Sequence, residues 1–509
     1  MLCTNIDVER NSMGNVSQII ASRADQAQWT AAMQYNELGQ EIERILPGNV
    51  ISQWQYDITG RPTNHRISSQ NRHTRRRVYQ WDVNHRLKGI VNELTAGRTT
   101  YGYDEFSNLV WSNQGNRFDF LHRNVDNVGN LYETKEKTDR VYGARSRLFE
   151  TRDAKFSYDE EGKLVRKIEK NGDTWKYENY GNGMMSKVIR PDQTEVTFKY
   201  DPMGRRVEKR SYEKTIQFVW DGNTILHEYF SHNDSEEFEE IAKYSSQNNS
   251  EIPDNIVIRV FNDGFVPSAK ITSKGNFSII SDYLGTPVEA YDEEGKKVWS
   301  AELDIYGRVN EFTGEQDFIP FRYQGQYEDA EIGLYYNRFR YYDPEQGNYT
   351  QIDPIGLAGG NPTLYGYVQN PLFVVDPFGL DRTELNKNLG GTIGDGMEAL
   401  HLIPKEIWRK HQTMFDYLGM GMDLKSNGIL LPSSNSLRMQ MGTEVYHRGS
   451  HLKYSKYVNS RVNKIESKWS AGINDNATIK RLEKLQNRLK GKIKAGEVPR
   501  EKISCHKLG

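Results

Sequence analysis

The sequence holds only two cysteines, Cys3 and Cys505, at opposite ends of 509 residues, so no disulfide framework is implied. No stretch approaches the 18 or so consecutive apolar residues of a membrane helix, and no spanning segment is predicted. The opening residues MLCTNIDVERNSMGN lack the charged-then-apolar order of a secretory leader. Export, where it occurs, is therefore expected to use a non-classical route. Apolar residues make up only 36% of the chain and the mean hydropathy is −0.79, values that suit a soluble protein rather than a membrane one. The length exceeds one ordinary core and suggests about three domains.

Aromatic and turn residues are plentiful: 30 Tyr and 43 Gly point to strands and tight turns rather than a Leu/Ala-rich helical protein. The net charge of −2 hides a division. Residues 381–509 carry 23 Lys+Arg against 13 Asp+Glu, and the remaining residues 44 against 56. Five of the 11 His lie in that basic tail, but only four of the 30 Tyr. A domain boundary near residue 380 follows.

Through the first 340 residues a phrase recurs: an aromatic, Asp, two or three polar residues, Gly, then a basic or polar and an aliphatic residue. It is visible from Gln55 to Arg61, around Trp81-Asp82 and Tyr103-Asp104, and clearest in FSYDEEGKLV, FKYDPMGRRV and EAYDEEGKKV. Each copy reads as a β-hairpin, with the aromatic closing one strand and Asp and Gly making the turn. One hairpin cannot bury its own face, so the copies are expected to stack into a continuous sheet. A β-sandwich with coincidental Tyr-Asp turns is the plainer alternative. Residues 233–255 interrupt the phrase with acidic, polar sequence and read as an exposed loop.

Two Asp-Pro-x-Gly units follow, at Asp353 to Gly356 and Asp376 to Gly379. Two carboxylates held close can share a proton, one serving as acid and the other as base. Alternatively both units simply make turns.

The segment from Phe321 to Leu380, FRYQGQYEDAEIGLYYNRFRYYDPEQGNYTQIDPIGLAGGNPTLYGYVQNPLFVVDPFGL, with the repeats before it, resembles the RHS/YD-repeat toxin family. The resemblance implies a mainly β shell of stacked hairpins over residues 1–315, incomplete beside longer members. It further implies a core and self-cleavage module over 316–380 and a toxic tail over 381–509. It also implies a cut after Leu380 with Asp353 and Asp376 as the acid–base pair, a secretion apparatus, and a cognate immunity protein. The toxin would rest in the producer's cytoplasm until it is secreted and delivered into a target cell.

In the tail, Ala399 to Pro404 reads as a short strand, Asp423 to Ile429 as a turn into the strand Ile429-Leu430-Leu431, and Asn427-Gly428 as a hairpin turn. A helix is expected from His447 on through Tyr454, Val458 and Val462. His447 and His451, four apart, would share one face of it and suit a divalent ion. His411 and His506 are isolated and read as surface residues. Ile479, Leu482, Leu485, Leu489 and Ile493 form the apolar stripe of a last, basic helix.

The order of strand His, loop Asn and paired His resembles the AHH branch of the HNH (ββα-metal) endonucleases, an α+β fold. The resemblance implies His401 as general base, His447 and His451 as ligands of a divalent metal (Zn, Mg, Mn or Ni), and Asn427 as a residue that orients the base or braces its loop. Nucleic acid, DNA before RNA, would be the substrate. One departure stands out, because the first of the family's two adjacent His is Leu400 here. Glu398 and Asp423 are candidates for the missing ligand. The alternatives are a ribonuclease, or a non-catalytic YD-repeat structural or adhesive protein with a degraded nuclease tail.

Overall fold

The structure is a computed structural model. It describes the chain apart from residues 1–3, 13, 24–25, 116–118, 233–253, 263, 355, 357–360, 362, 381–388, 390–396, 422–423, 433–437, 439–440, 442, 446–451 and 498–509. Most of the interrupting segment at 233–255 therefore lies outside the described residues. Two compact units emerge, one of residues 1–356 with 361–380, the other of 381–509 with 357–360.

The first unit is a run of antiparallel hairpins. Among the described residues, eleven strands from Thr4–Arg10 to Phe120–His122 form one sheet, and sixteen from Arg140–Tyr142 to Val309–Thr313 form a second. In both sheets spatial order equals sequence order, through short turns in most places and across residues 233–255 between Thr224–His232 and Ile256–Phe261. The first four strands, from Thr4–Arg10 to Glu41–Leu46, already belong to the first sheet.

The recurrent phrase has one turn chemistry. At Asp57 the carboxylate Oδ1 accepts the backbone N–H of Thr59 at 2.9 Å and of Arg61 at 3.0 Å, and Oδ2 accepts Arg61 Nε at 2.7 Å. Gly60 adopts φ +86°, a conformation costly for a residue with a Cβ. The strand slips register one residue earlier, at Gln55/Tyr56. Asp82, Asp104, Asp201 and Asp304 repeat the arrangement, each taking a side chain four residues on: Arg86, Asn108, Arg205 or Arg308. Burial works to raise the Asp57 carboxyl, but the donors from Thr59 and Arg61 outweigh it and hold the group well below the usual carboxylate range.

The two sheets meet over a buried core that joins Val16, Ile19, Trp29 and Val50 to Ile258, Ala269, Ile280 and Tyr291. Trp29 Nε1 donates to Ser278 Oγ at 2.9 Å, and Arg75 and Arg77 both reach Glu302. Against the second sheet lies a small four-stranded sheet, Tyr327–Asp329, Leu334–Asn337, Arg340–Asp343 and Asn348–Tyr349. Arg206 fastens it. Its guanidinium pairs with Asp329 at 2.5 Å and lies 4.4 Å from the ring centre of Tyr336, with both charged groups fully buried. Lys209 adds a second cation to Asp329 at 2.9 Å.

The second unit pairs strand Met397–His401 with Gly428–Pro432, antiparallel, His401 opposite Gly428. Its helices among the described residues are α1 (Lys405–Lys410), α2 (Gln412–Tyr417), α3 (Leu452–Glu466) and α4 (Asp475–Lys494). One apolar core gathers Leu400, Leu402, Trp408, Phe415, Ile429, Val458, Val462, Leu482 and Leu489. The stripe expected on the last helix is this buried face: Leu482, Leu485, Leu489 and Ile493 are buried, and Ile479 packs beside them.

Two expectations fail here. Asn427-Gly428 is no hairpin turn. Asn427 closes a short 3-10 turn over Lys425–Asn427, and the paired strands Met397–His401 and Gly428–Pro432 are separated in the chain by α1 and α2. Nor is His411 a surface residue. It is 3% exposed, with Nδ1 at 2.7 Å from Glu466 Oε2 and Nε2 at 3.3 Å from Asn459 Oδ1, so it ties the start of α2 to α3. Sequence spacing shows no neighbour for an isolated His when its partners lie about fifty residues away.

Candidate functional site

Asp353 and Asp376 come together inside the first unit. They are 5% and 3% exposed, and one guanidinium spans them: Arg340 Nη2 lies 3.1 Å from Asp353 Oδ2 and 3.5 Å from Asp376 Oδ2. The Arg340 plane also stacks on the ring of Tyr349, 3.6 Å from its centre. Tyr349 donates its hydroxyl to Asp376 Oδ2 at 2.8 Å and accepts from Asn337 Nδ2 at 2.7 Å. Burial first, then the adjacent Asp376 charge, pushes the Tyr349 phenol well above its ordinary value, so it stays a donor. Asp376 Oδ1 accepts the backbone N–H of Leu380 at 2.9 Å, and Arg340 Nε bonds the Gly379 carbonyl.

Gly379 is required in this turn. Its φ is +64°, and a Cβ would stand 2.6 Å from the Asn337 carbonyl oxygen. The arrangement brings two carboxyl groups and a cation to the residue that precedes the expected cut; Asp381 itself lies outside the described residues. Arg340 and Tyr349 were not singled out by sequence reasoning. Their signal was only that both lie in the tyrosine-rich stretch that closes the repeats.

In the tail, His401 ends its strand, half-buried, while Leu400 and Leu402 are buried in the core. Strand alternation sets Leu400 and His401 on opposite faces. Asn427 is fully buried. Its Oδ1 accepts the Ile403 N–H at 2.9 Å and Gln486 Nε2 at 3.3 Å, and its Nδ2 donates to the Ile403 carbonyl at 3.2 Å. The Asn427 carbonyl accepts the Leu402 N–H at 2.7 Å. Asn427 thus clamps the two residues that follow His401, the bracing geometry of a positioning residue. Tyr454 of α3 supports the same segment, its hydroxyl donating to the Leu402 carbonyl at 2.7 Å.

His447, His451, Asp423 and the side chain of Glu398 lie outside the described residues. Among the described residues no cluster of three His, Cys, Asp or Glu is disposed to hold a metal ion. Leu400, packed among apolar side chains, contributes no ligand. The expected ligands His447 and His451, and the candidates Glu398 and Asp423 for a third, thus all fall where the structure describes no side chain.

A sheet of Asp-turn hairpins closed by a tyrosine-rich core, ahead of a small α+β unit, defines the class: a repeat-built β-shell carrying a C-terminal domain. The teneurin YD-shell family matches residues 35–357, more than half of the chain, and this chain belongs to that family. Residues 383–489 match AHH, a nuclease family of the HNH/ENDO VII superfamily with a conserved AHH.

Among curated proteins, double-stranded DNA deaminase toxin A of Burkholderia cenocepacia is 30% identical over 310 residues, 57% of this chain and 21% of its own length. The probable deoxyribonuclease RhsA of Dickeya dadantii is 29% identical over 360 residues, 68% of this chain and 24% of that protein. The chain thus spans about a quarter of such relatives or less. Among solved structures, the Tc holotoxin pore of Photorhabdus luminescens aligns over 74% of this chain and 20% of that one, with TM-score 0.52 and 16% identity, a likeness of fold alone. No helix among the described residues is long and apolar enough to cross a membrane.

Proposed function

We propose that this chain is the C-terminal portion of an RHS-type toxin whose tail is an HNH-type endonuclease acting on DNA. The observation that carries the reading is the clamp on His401: within the segment that matches the AHH nucleases, Asn427, itself held by Gln486, and Tyr454 hold the backbone next to one half-buried imidazole. The relatives' names do not choose the chemistry, since one is a deaminase and another a deoxyribonuclease. The tail's own residues must do so.

In this reading His401 takes a proton from the attacking water. A divalent ion held by His447 and His451 would supply charge stabilisation at the phosphate when bound. Lys480, Arg481, Lys484 and Arg488 line the outer face of α4, opposite its buried stripe, and contact the backbone of the nucleic acid without reading its sequence.

The same proposal includes release of the tail. Asp353 and Asp376 act as the acid–base pair of a peptide hydrolysis at Leu380–Asp381. The ionised member takes a proton from water as its oxygen adds to the Leu380 carbonyl carbon, and the protonated member donates to the carbonyl oxygen. Collapse breaks the C–N bond, leaving a carboxylate on Leu380 and an amine, which takes up the proton, on Asp381. A secretion apparatus for delivery into a target cell and an immunity protein in the producer belong to this reading.

A plasmid-nicking assay on the full chain, with Mg²⁺, Mn²⁺, Ni²⁺ or Zn²⁺ and a structured RNA in parallel, tests it. Metal-dependent nicking is expected, falling by 10²–10⁴-fold in His401→Ala, the range of a lost general base. Cleavage of RNA alone would convert the reading to a ribonuclease. Inertness toward both polymers would favour a binding module.

A further inference from the structure

The turn that precedes the expected cut is a repeat turn with one partner exchanged. In the repeats, Asp Oδ1 accepts the backbone N–H four residues on, as Asp57 does from Arg61 at 3.0 Å and Asp201 from Arg205 at 2.8 Å. The residue before that donor takes positive φ, Gly60 at +86° and Gly204 at +74°. Asp376 to Leu380 has the same frame: Oδ1 accepts Leu380 N–H at 2.9 Å and Gly379 stands at φ +64°.

The second carboxylate oxygen differs. In several of the repeats it is occupied by the side chain four residues on, Arg61 Nε at 2.7 Å, Arg86 Nε at 2.8 Å or Asn108 Nδ2 at 2.7 Å. At Asp376 that position is Leu380, which has no donor. Oδ2 is instead met by the Tyr349 hydroxyl at 2.8 Å and by Arg340, which also reaches Asp353. Asn337 fixes the phenol, giving its amide to the Tyr349 oxygen at 2.7 Å and to the Asp376 carbonyl at 2.9 Å.

We infer that Tyr349, held by Asn337, is a positioning residue for self-cleavage, and that Leu380, in place of the polar side chain that pairs within many repeat turns, leaves Asp376 Oδ2 to Tyr349 and Arg340. The inference rests on the self-cleavage reading above. Asp57, Asp82, Asp104 and Asp201 are each locked into their own hairpin by an Arg or Asn side chain four residues on. Asp376 is instead coupled through Arg340 to Asp353, with both of its oxygens accepting hydrogen bonds. Phe at 349 would keep the ring on which Arg340 stacks and remove only the donor.

The test follows the full chain after a pulse of cell-free translation, reading the appearance of fragments 1–380 and 381–509 by gel and mass spectrometry. The unmodified chain is expected to cut at Leu380–Asp381 and Asp376→Asn to stay whole. Tyr349→Phe is expected to cut about tenfold more slowly, the size of a lost hydrogen bond to a charged group. Its pH–rate profile should move its acid limb to higher pH, which a merely structural loss would not do. Leu380→Arg, which restores the repeat's internal pair, should cut more slowly than Leu380→Met.

Tyr349→Phe cutting at the unmodified rate and pH profile, while Asp376→Asn is blocked, would overturn the role of Tyr349 and leave self-cleavage standing. Should Tyr349→Phe fail to fold, equal rates for Leu380→Arg and Leu380→Met would overturn the turn-exchange argument. An unmodified chain that stays whole would sink both readings.

Discussion

The Asn427 carboxamide pairs twice with the backbone of Ile403, accepting its N–H at 2.9 Å and donating to its carbonyl at 3.2 Å, out of reach of solvent. Asn427→Ala would leave both groups buried and unpaired, at a cost on the order of 2–4 kcal/mol. Thermal unfolding of the tail should show that loss. Nuclease activity should fall even at temperatures where the variant remains folded, because the strand end that carries His401 loses its clamp. Full activity in a folded Asn427→Ala would separate the clamp from catalysis.

Arg340 is the shared cation of Asp353 and Asp376, and all three side chains are nearly inaccessible. Arg340→Met removes the cation and leaves two buried carboxyl groups facing each other. Breaking a buried ion pair from one side costs about 3–5 kcal/mol. Denaturant unfolding of the shell should register a loss of that size, and Asp353→Asn placed in the same background should restore part of it.

Asp282 predicts a pH dependence. Burial, against the backbone donors of Thr286 and Leu284, pushes its carboxyl up to about 6, with Arg75 lowering it and Glu302 raising it. A folded value above the unfolded one means the folded state binds the extra proton. Its stabilising contribution is therefore full below about pH 4 and is lost as pH rises toward 6. Melting temperatures of the full chain and Asp282→Asn, compared from pH 4 to pH 7, should show the parent losing stability relative to the variant through this window and a constant difference above it. A difference that grows in the opposite sense would contradict the assignment.

Leu400 occupies the place of the AHH family's first His and is 5% exposed within the tail's apolar core. Leu400→Ala should cost about 2–5 kcal/mol through the cavity it leaves. Leu400→His buries a polar ring in the same place and should also destabilise the metal-free tail, by roughly 1–3 kcal/mol where the ring finds no partner. Differential scanning of both variants checks the two values. A Leu400→Ala variant as stable as the parent would mean that this side chain is not part of the core.

Much of the fold was legible because the repeat's information is local. An Asp that takes the backbone N–H two and four residues on, with Gly at positive φ between them, needs no distant residue to make its turn, and FSYDEEGKLV or FKYDPMGRRV can be read alone. The apolar stripe of the last helix was legible for the same reason, periodicity within one element. Asn427-Gly428 shows the limit. The pair has the residues of a hairpin turn, yet tertiary contacts with Ile403 and Gln486 hold Asn427 in a 3-10 turn instead.

The sequence by itself determined the succession of hairpins, the change of character at residue 380 and the identity of the chemical groups in the tail, because turn geometry, strand alternation and charge are properties of neighbours in the chain. Only the tertiary structure decided that the two large sheets share one core through Trp29 and Ser278, that Arg340 and Tyr349 gather Asp353 and Asp376 into one buried cluster, and that Leu400 and His411 are core residues. Those outcomes depend on which distant surfaces exclude water together and which buried polar groups then find partners, and neither is written in any local pattern.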